Sequence, residues 1–330
     1  MVGMNFNERA LSFACRGEPM VGVLALPASA PPAVYRTTSP SLRFGTDARE
    51  RTAGTTVPSS APDTAVVIIV GGPQYRAGSH RQFVLLARRL AANGWPALRF
   101  DVRGMGDSAG TPLPFDALDD DIGAAVDAVF AALPTLRRVV LWGLCDGASA
   151  ALLSAGRRKD LRIGGLCLLN PWVRSTVSLA RTHVKHYYAD RLRQPDFWRK
   201  LVRGGISLQA THDLLRSLSS LCTPKATRAL KDDFRDQMAA AWAAFPGELL
   251  LLLSGADYTA REFVETTSTE GAWQGSMELP TLRQVHIDAA DHTFSDPGRR
   301  VEMESAVLDW LGSQFLNERP FERTSLLAGS

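Results

Sequence analysis

Cysteine is scarce and scattered in this chain. Only Cys15, Cys145, Cys167 and Cys222 occur in 330 residues, with no C-x-x-C pair and no Cys/His group at metal-ligand spacing. That distribution excludes a disulfide framework and a zinc module, and the thiols read as reduced in a cytoplasmic protein. Charge of one sign is lacking too. Lys and Arg number 37 against 34 Asp and Glu, a formal charge of +3, so electrostatics make no case for nucleic acid as a partner. No apolar run approaches the roughly 20 residues that span a bilayer, so no integral membrane segment is expected. The opening MVGMNFNERALSF lacks the apolar core of a signal peptide. Phosphate-loop signatures are missing as well. The glycines of Asp101-Val102-Arg103-Gly104-Met105-Gly106-Asp107-Ser108 fit neither G-x-x-x-x-G-K-[ST] nor a G-x-G-x-x-G leading into a helix. No cofactor and no metal are expected, and the sequence is silent on oligomeric state.

What is present is an ordinary globular composition, 45% hydrophobic and 22% charged, with a regular alternation of elements. ALSFACR and MVGVLALP read as two short strands joined around Gly17-Glu18-Pro19. Residues 28–63, rich in Pro, Ser, Thr, Ala and Arg, read as a loop without chemistry. Then AVVIIV (65–70), Pro96 to Phe100, VVLW (139–142) and Ile163 to Leu169 are apolar runs of strand length. Helical stretches separate them: 80–93 with Gly94 as its stop, 115–133 with an acidic first turn suited to a helix dipole, and 147–154. Strand, helix, strand in this order predicts a parallel sheet covered by helices on both faces. Residues 173–245 read as an all-helical insertion over the sheet, carrying His183, His186 and His212 and the apolar Phe197, Trp198 and Trp242. Strands return at Glu248 to Ser254 and Leu282 to Ile287, and a helix over 297–314 closes the fold. The core is thus 1–172 with 246–316, the helical cap 173–245, and the tail 317–330.

The chemistry centres on Gly143-Leu144-Cys145-Asp146-Gly147. A cysteine between two glycines, where a buried strand stops and a small-residue helix starts, has the form of a nucleophile elbow. Such a turn lifts the side chain above the sheet and aims the helix N–H groups at the same point. Downstream, Asp257 and His292 follow the last two strands, so nucleophile, acid and base appear in the order Cys145, Asp257, His292. Asp291 is too close in sequence to reach its neighbour His292, His286 lies inside a strand, and a cap or turn role is the alternative for Asp257. The loop Gly71-Gly72-Pro73 follows the first parallel strand. Pro73 has no N–H, which leaves Gly72, with Asp146, as the backbone donors expected to hold an oxyanion. Gln74, Tyr75, Arg76 and Arg103, at strand ends on the same side, are the expected substrate contacts.

With these residues in view, the chain resembles the α/β-hydrolase superfamily over nearly all of its length outside the 28–63 loop and the tail. More narrowly, GGPQYRAGSHRQFVLLAR, RFDVRGMGDS, GLCDGASA and ADHTFS resemble the exosortase A system-associated hydrolases, type 1. The resemblance implies the α/β-hydrolase fold with a helical cap and a link to bacterial exopolysaccharide production. It departs from the wider fold in two ways. Cysteine stands where serine is usual, as in dienelactone hydrolases, and Val70-Gly71 replaces the usual His-Gly. The expected activity is hydrolysis of a small ester or thioester. Acyl transfer to a saccharide or carrier, or a noncatalytic scaffold, is the alternative.

Overall fold

A computed structural model describes residues 6–28, 63–71, 74–174 and 234–316. Gly72 and Pro73, most of the 28–63 loop, the bulk of the expected cap with its three histidines, Phe197 and Trp198, and the 317–330 tail lie outside the described residues. The chain divides into two compact units, Met1–Trp172 with Met238–Ser330, and Val173–Gln237.

In the first unit, β1 (Phe6–Cys15) and β2 (Glu18–Pro27) form an antiparallel hairpin. Its two-residue connection, Arg16 and Gly17, has positive φ at both positions (52° and 85°), the turn whose twist matches paired strands. The turn falls one residue ahead of the one expected, because Glu18 and Pro19 already pair with Cys15 and Ala14. The parallel strands are β3 (Thr64–Ile69), β4 (Ala97–Phe100), β5 (Arg138–Leu144), β6 (Ile163–Leu169), β7 (Glu248–Ser254) and β8 (Leu282–Ile287). The sheet order is β1-β2-β4-β3-β5-β6-β7-β8, antiparallel only at β1-β2 and β2-β4.

The helices are α1 (Gln82–Ala92), α2 (Asp119–Ala132), α3 (Asp146–Arg158), α4 (Phe234–Ala244), α5 (Tyr258–Thr269) and α6 (Pro297–Leu311). Alternate strand residues Val66, Ile68, Val140, Trp142, Leu250 and Leu252 join one core with Phe83, Leu86 and Leu90 of α1 and Met303 and Val307 of α6. Their neighbours Val67, Leu141 and Leu251 are equally buried and point to the opposite face, because strand side chains alternate. Glu304, 1% exposed, accepts from Arg89 at 2.9 Å and Arg300 at 2.8 Å and clips α6 to α1. The acidic first turn of α2 is engaged in ion pairs: Asp119 with Arg157, Asp120 with Arg16 and Asp121 with Arg103. Among the described residues, no helix is long and apolar enough to cross a membrane.

Helix α5 was not among the expected helices, although a cap was the alternative role for Asp257. YTAREFVETTST is rich in threonine, whose branched Cβ disfavours helix, and its start is supplied by a cap: Asp257 Oδ1 accepts the Thr259 N–H at 3.0 Å. The helix buries Phe263 against Trp242 and Trp273, centroids 6.0 and 5.5 Å away. Trp242, one of the apolar residues noted in the expected helical insertion, is fully buried in this aromatic cluster and donates to the Ser276 carbonyl at 2.9 Å. Truncating the aromatic at the centre of the cluster leaves a cavity, so Phe263→Ala is expected to cost about 3 kcal/mol, measured as a fall in the urea midpoint at unchanged slope.

Candidate active site

Cys145 ends β5 and opens α3, with φ 58° and ψ −125°, a conformation that non-glycine residues adopt only under constraint. The constraint is close backbone packing on both sides. A Cβ at Gly143 would lie 2.4 Å from the Gly147 carbonyl oxygen, and one at Gly147 would lie 2.7 Å from that of Ile69. The Cys145 N–H bonds to Leu169 at the exit of β6, and its carbonyl accepts from Ala148 and from Trp172. The elbow is thus pinned both by its own helix and by the neighbouring strand. The loop leaving β3 approaches equally closely. A Cβ at Gly71 would lie 1.9 Å from Asp146 Oδ1 and 2.4 Å from the Gly147 nitrogen. The tandem glycines after a buried strand were the readable signal for this approach.

Asp257 and His292 lie beyond the ends of β7 and β8. Asp257 is 5% exposed. One of its carboxylate oxygens caps α5, and the other meets His292 Nδ1 at 2.8 Å, so the cap and acid readings of this residue hold together. Asp291, the sequence neighbour, is engaged in its own turn, accepting from the Thr293 and Ser295 backbone N–H groups and the Ser295 hydroxyl. His286 is exposed on the edge strand β8. With Asp257 on Nδ1, the free ring position of His292 is Nε2. His292 and Cys145 line the same cavity, of about 170 Å³, with Gly71, Gln74, Phe83, Leu144 and Asp146. The imidazole pKa is pushed up to about 10, first by the hydrogen bond with Asp257 and then by the Cys145 side chain, against the opposing effect of burial. At neutral pH the ring is therefore an imidazolium, and it lines the same cavity as the Cys145 side chain. Burial pushes the thiols of Cys15 and Cys167 upward as well; among the described cysteines, Cys145 is the one that shares a cavity with a histidine.

The remaining expected contacts divide. Gln74 lines the cavity, and Tyr75 is 53% exposed. Arg76 and Arg103 do not line it. The guanidinium of Arg76 pairs with Asp101 and Asp107, its backbone N–H donates to Asp101 Oδ1 at 2.6 Å, and Arg103 Nε donates to Asp121 Oδ1 at 2.6 Å. Arg76 ties its loop to Asp101 at the exit of β4, and Arg103 ties the loop after β4 to Asp121 in the first turn of α2. These buried aspartates need a cationic donor more than the solvated cavity does. The cavity walls Phe83 and Leu144 went unread in the sequence, since an apolar residue carries no signal of which surface it will face.

A parallel sheet with a glycine-flanked nucleophile position after its central strand, and a paired carboxylate and histidine after two later strands, defines a hydrolase-type α/β architecture. The family model of the alpha/beta hydrolase family matches residues 66–303, and the chain belongs to that family. No curated protein matches the sequence. Among solved structures, an esterase of Pyrococcus furiosus aligns over 94% of this chain and 92% of its own at 14% identity, with a TM-score of 0.57. Est1E of Butyrivibrio proteoclasticus, solved with ferulic acid, aligns over 92% and 99% at 16% identity and TM-score 0.55. A Coxiella burnetii protein described as an alpha-beta serine hydrolase homologue aligns over 92% and 97% at 12% identity and TM-score 0.50. At these identities the likeness speaks for the fold.

The Asp257–His292 pair also makes a stability prediction. A histidine whose folded pKa is raised stabilises the native state fully below its unfolded value of 6.5, and that contribution is lost as pH rises through about 10. Asp257→Asn keeps the cap acceptor and removes the charge. Its deficit in melting temperature relative to the wild type is expected to be largest near pH 6.5 and to shrink steadily towards pH 10 in a thermal-melt series.

Proposed function

We propose that this chain is a cysteine-dependent hydrolase of esters or thioesters, with Cys145 as nucleophile, His292 as acid and base, and Asp257 as the carboxylate that orients His292. One observation carries the reading: the strained elbow residue Cys145 shares a cavity with His292, which is held through Nδ1 by Asp257 at 2.8 Å.

The steps follow from the charges. The imidazolium favours the thiolate, which attacks the substrate carbonyl carbon; the C–S bond forms as the carbonyl electrons move to oxygen. Backbone N–H groups of Asp146, at the N-terminus of α3, and of Gly72 hold that oxyanion. Its collapse breaks the bond to the leaving alkoxide or thiolate, which takes the proton from His292 Nε2. The imidazole, now neutral, accepts a proton from water as the water attacks the thioester. The second tetrahedral intermediate then expels the Cys145 thiolate and releases the carboxylic acid. Asp257 keeps Nδ1 protonated throughout, so that Nε2 does the exchanging.

The family's alpha/beta hydrolase description supports a hydrolase, and the fold neighbours named above include an esterase. The cysteine nucleophile rests on this chain's own sequence, GLCDG. GGPQYRAGSHRQFVLLAR, RFDVRGMGDS and GLCDGASA support a place among the exosortase A system-associated hydrolases. The free thiols of Cys15, Cys145 and Cys167 are in keeping with a reducing, cytoplasmic setting.

The test is intact-protein and peptide mass spectrometry after exposure to short p-nitrophenyl esters and acyl-CoA. An acyl adduct is expected on Cys145 in the wild type and absent in Cys145→Ala, with kcat/KM lowered about a thousandfold or more in the variant. Unchanged turnover in Cys145→Ala would remove the nucleophile assignment. Product that forms only when a sugar acceptor is added would turn the reading to acyl transfer.

A further inference from the structure

The cavity has two polar side chains beyond the reacting ones, and each presents an acceptor oxygen. Gln74 Oε1 is buried and receives no hydrogen bond from the protein. The Asp146 carboxyl, the other non-reacting polar side chain lining the cavity, accepts the Gly147 N–H at 3.0 Å. The nearby cations are committed elsewhere: Arg76, two residues beyond Gln74, to Asp101 and Asp107, and Arg103 to Asp121. A buried acceptor without a donor is costly, and a site built to hydrogen-bond a substrate group discriminates strongly against the analogue that lacks it. A carboxylate-bearing substrate would meet like charge at Asp146 and, apart from the reacting His292, no cation among the described lining residues. A hydroxyl meets an acceptor.

We infer that Gln74 is a specificity-determining residue that accepts a hydrogen bond from a substrate hydroxyl, so that the esters preferred by this site are neutral and hydroxylated. The inference rests on the hydrolase reading above and names its substrate class. The hydroxyl has two sources, the acyl half or the alcohol half of the ester.

Four esters test it, with kcat/KM measured on each: ethyl butanoate, ethyl 3-hydroxybutanoate, 2-hydroxyethyl butanoate and ethyl 3-oxobutanoate. One of the hydroxylated esters is expected to exceed ethyl butanoate about tenfold, the size of one neutral hydrogen bond, and which one does so identifies the half that is read. Gln74→Met, similar in length without the acceptor, is expected to bring that ratio close to one. Gln74→Glu, which keeps an acceptor, is expected to retain the preference and shows that the position tolerates substitution. A wild-type ratio near one, a ratio that survives in Gln74→Met, or faster turnover of the oxo ester than of its hydroxy counterpart would each overturn the inference. Mass spectrometry of Cys145 separates the two levels. Acylation without hydroxyl preference sinks only the role of Gln74, whereas no acylation by any of the four sinks the hydrolase reading with it.

Discussion

The site depends on backbone approaching backbone at the end of β5. Cys145 sits in a positive-φ conformation that an isolated turn would abandon, and it persists because three strands and a helix leave no other path for the chain. Gly143 and Gly147 let α3 settle against β5 and the carbonyl end of β3. Gly71 lets the β3 loop pass within contact of Asp146. The carbonyl of Cys145 is drawn into α3 and also accepts from Trp172, while the Ser149 hydroxyl donates to the Trp172 carbonyl at 2.7 Å. A side chain presented this way is fixed by the sheet rather than by a loop, which suits it to hold one geometry through a reaction.

The other half of the site is held by a second set of polar contacts on the same sheet edge. Buried Asn170, at φ 44°, donates to the Ser254 hydroxyl and accepts the Ser254 N–H, both at 2.9 Å. That clip ties the exit of β6 to the exit of β7, three residues before Asp257. Asp257 then divides its two oxygens between the start of α5 and His292. One carboxylate thereby joins helix initiation to imidazole orientation, and the raised pKa of His292 is the electrostatic expression of the same contact.

Much of this was readable in order along the chain. The strand over Glu248–Ser254 coincides with the run ELLLLLS, because a parallel strand buried on both faces is apolar at nearly every position. The edge strand over Leu282–Ile287 falls where it was expected, although most of its residues are exposed or half-buried. The nucleophile position was legible from two glycines and a change of period. Helix α5 was not, since its threonine-rich sequence opposes helix and its start depends on a capping carboxylate whose orientation is set by His292 across 35 residues. Arg76 and Arg103 were read as substrate contacts because they stand at strand ends. Their partners Asp101 and Asp121 are buried, and a buried carboxylate claims the nearest guanidinium.

Local order therefore belongs to the sequence: the alternation of strands and helices, the G-x-C-x-G elbow, and the succession of cysteine, aspartate and histidine follow from periodicity and residue type, which act over a few residues. Tertiary structure decided which of several aspartates meets His292, how closely Gly71 packs against the elbow, which arginines are committed to ion pairs, and which apolar and amide side chains face the cavity. Those outcomes turn on distances between residues far apart in the chain, and burial sets their electrostatic weight.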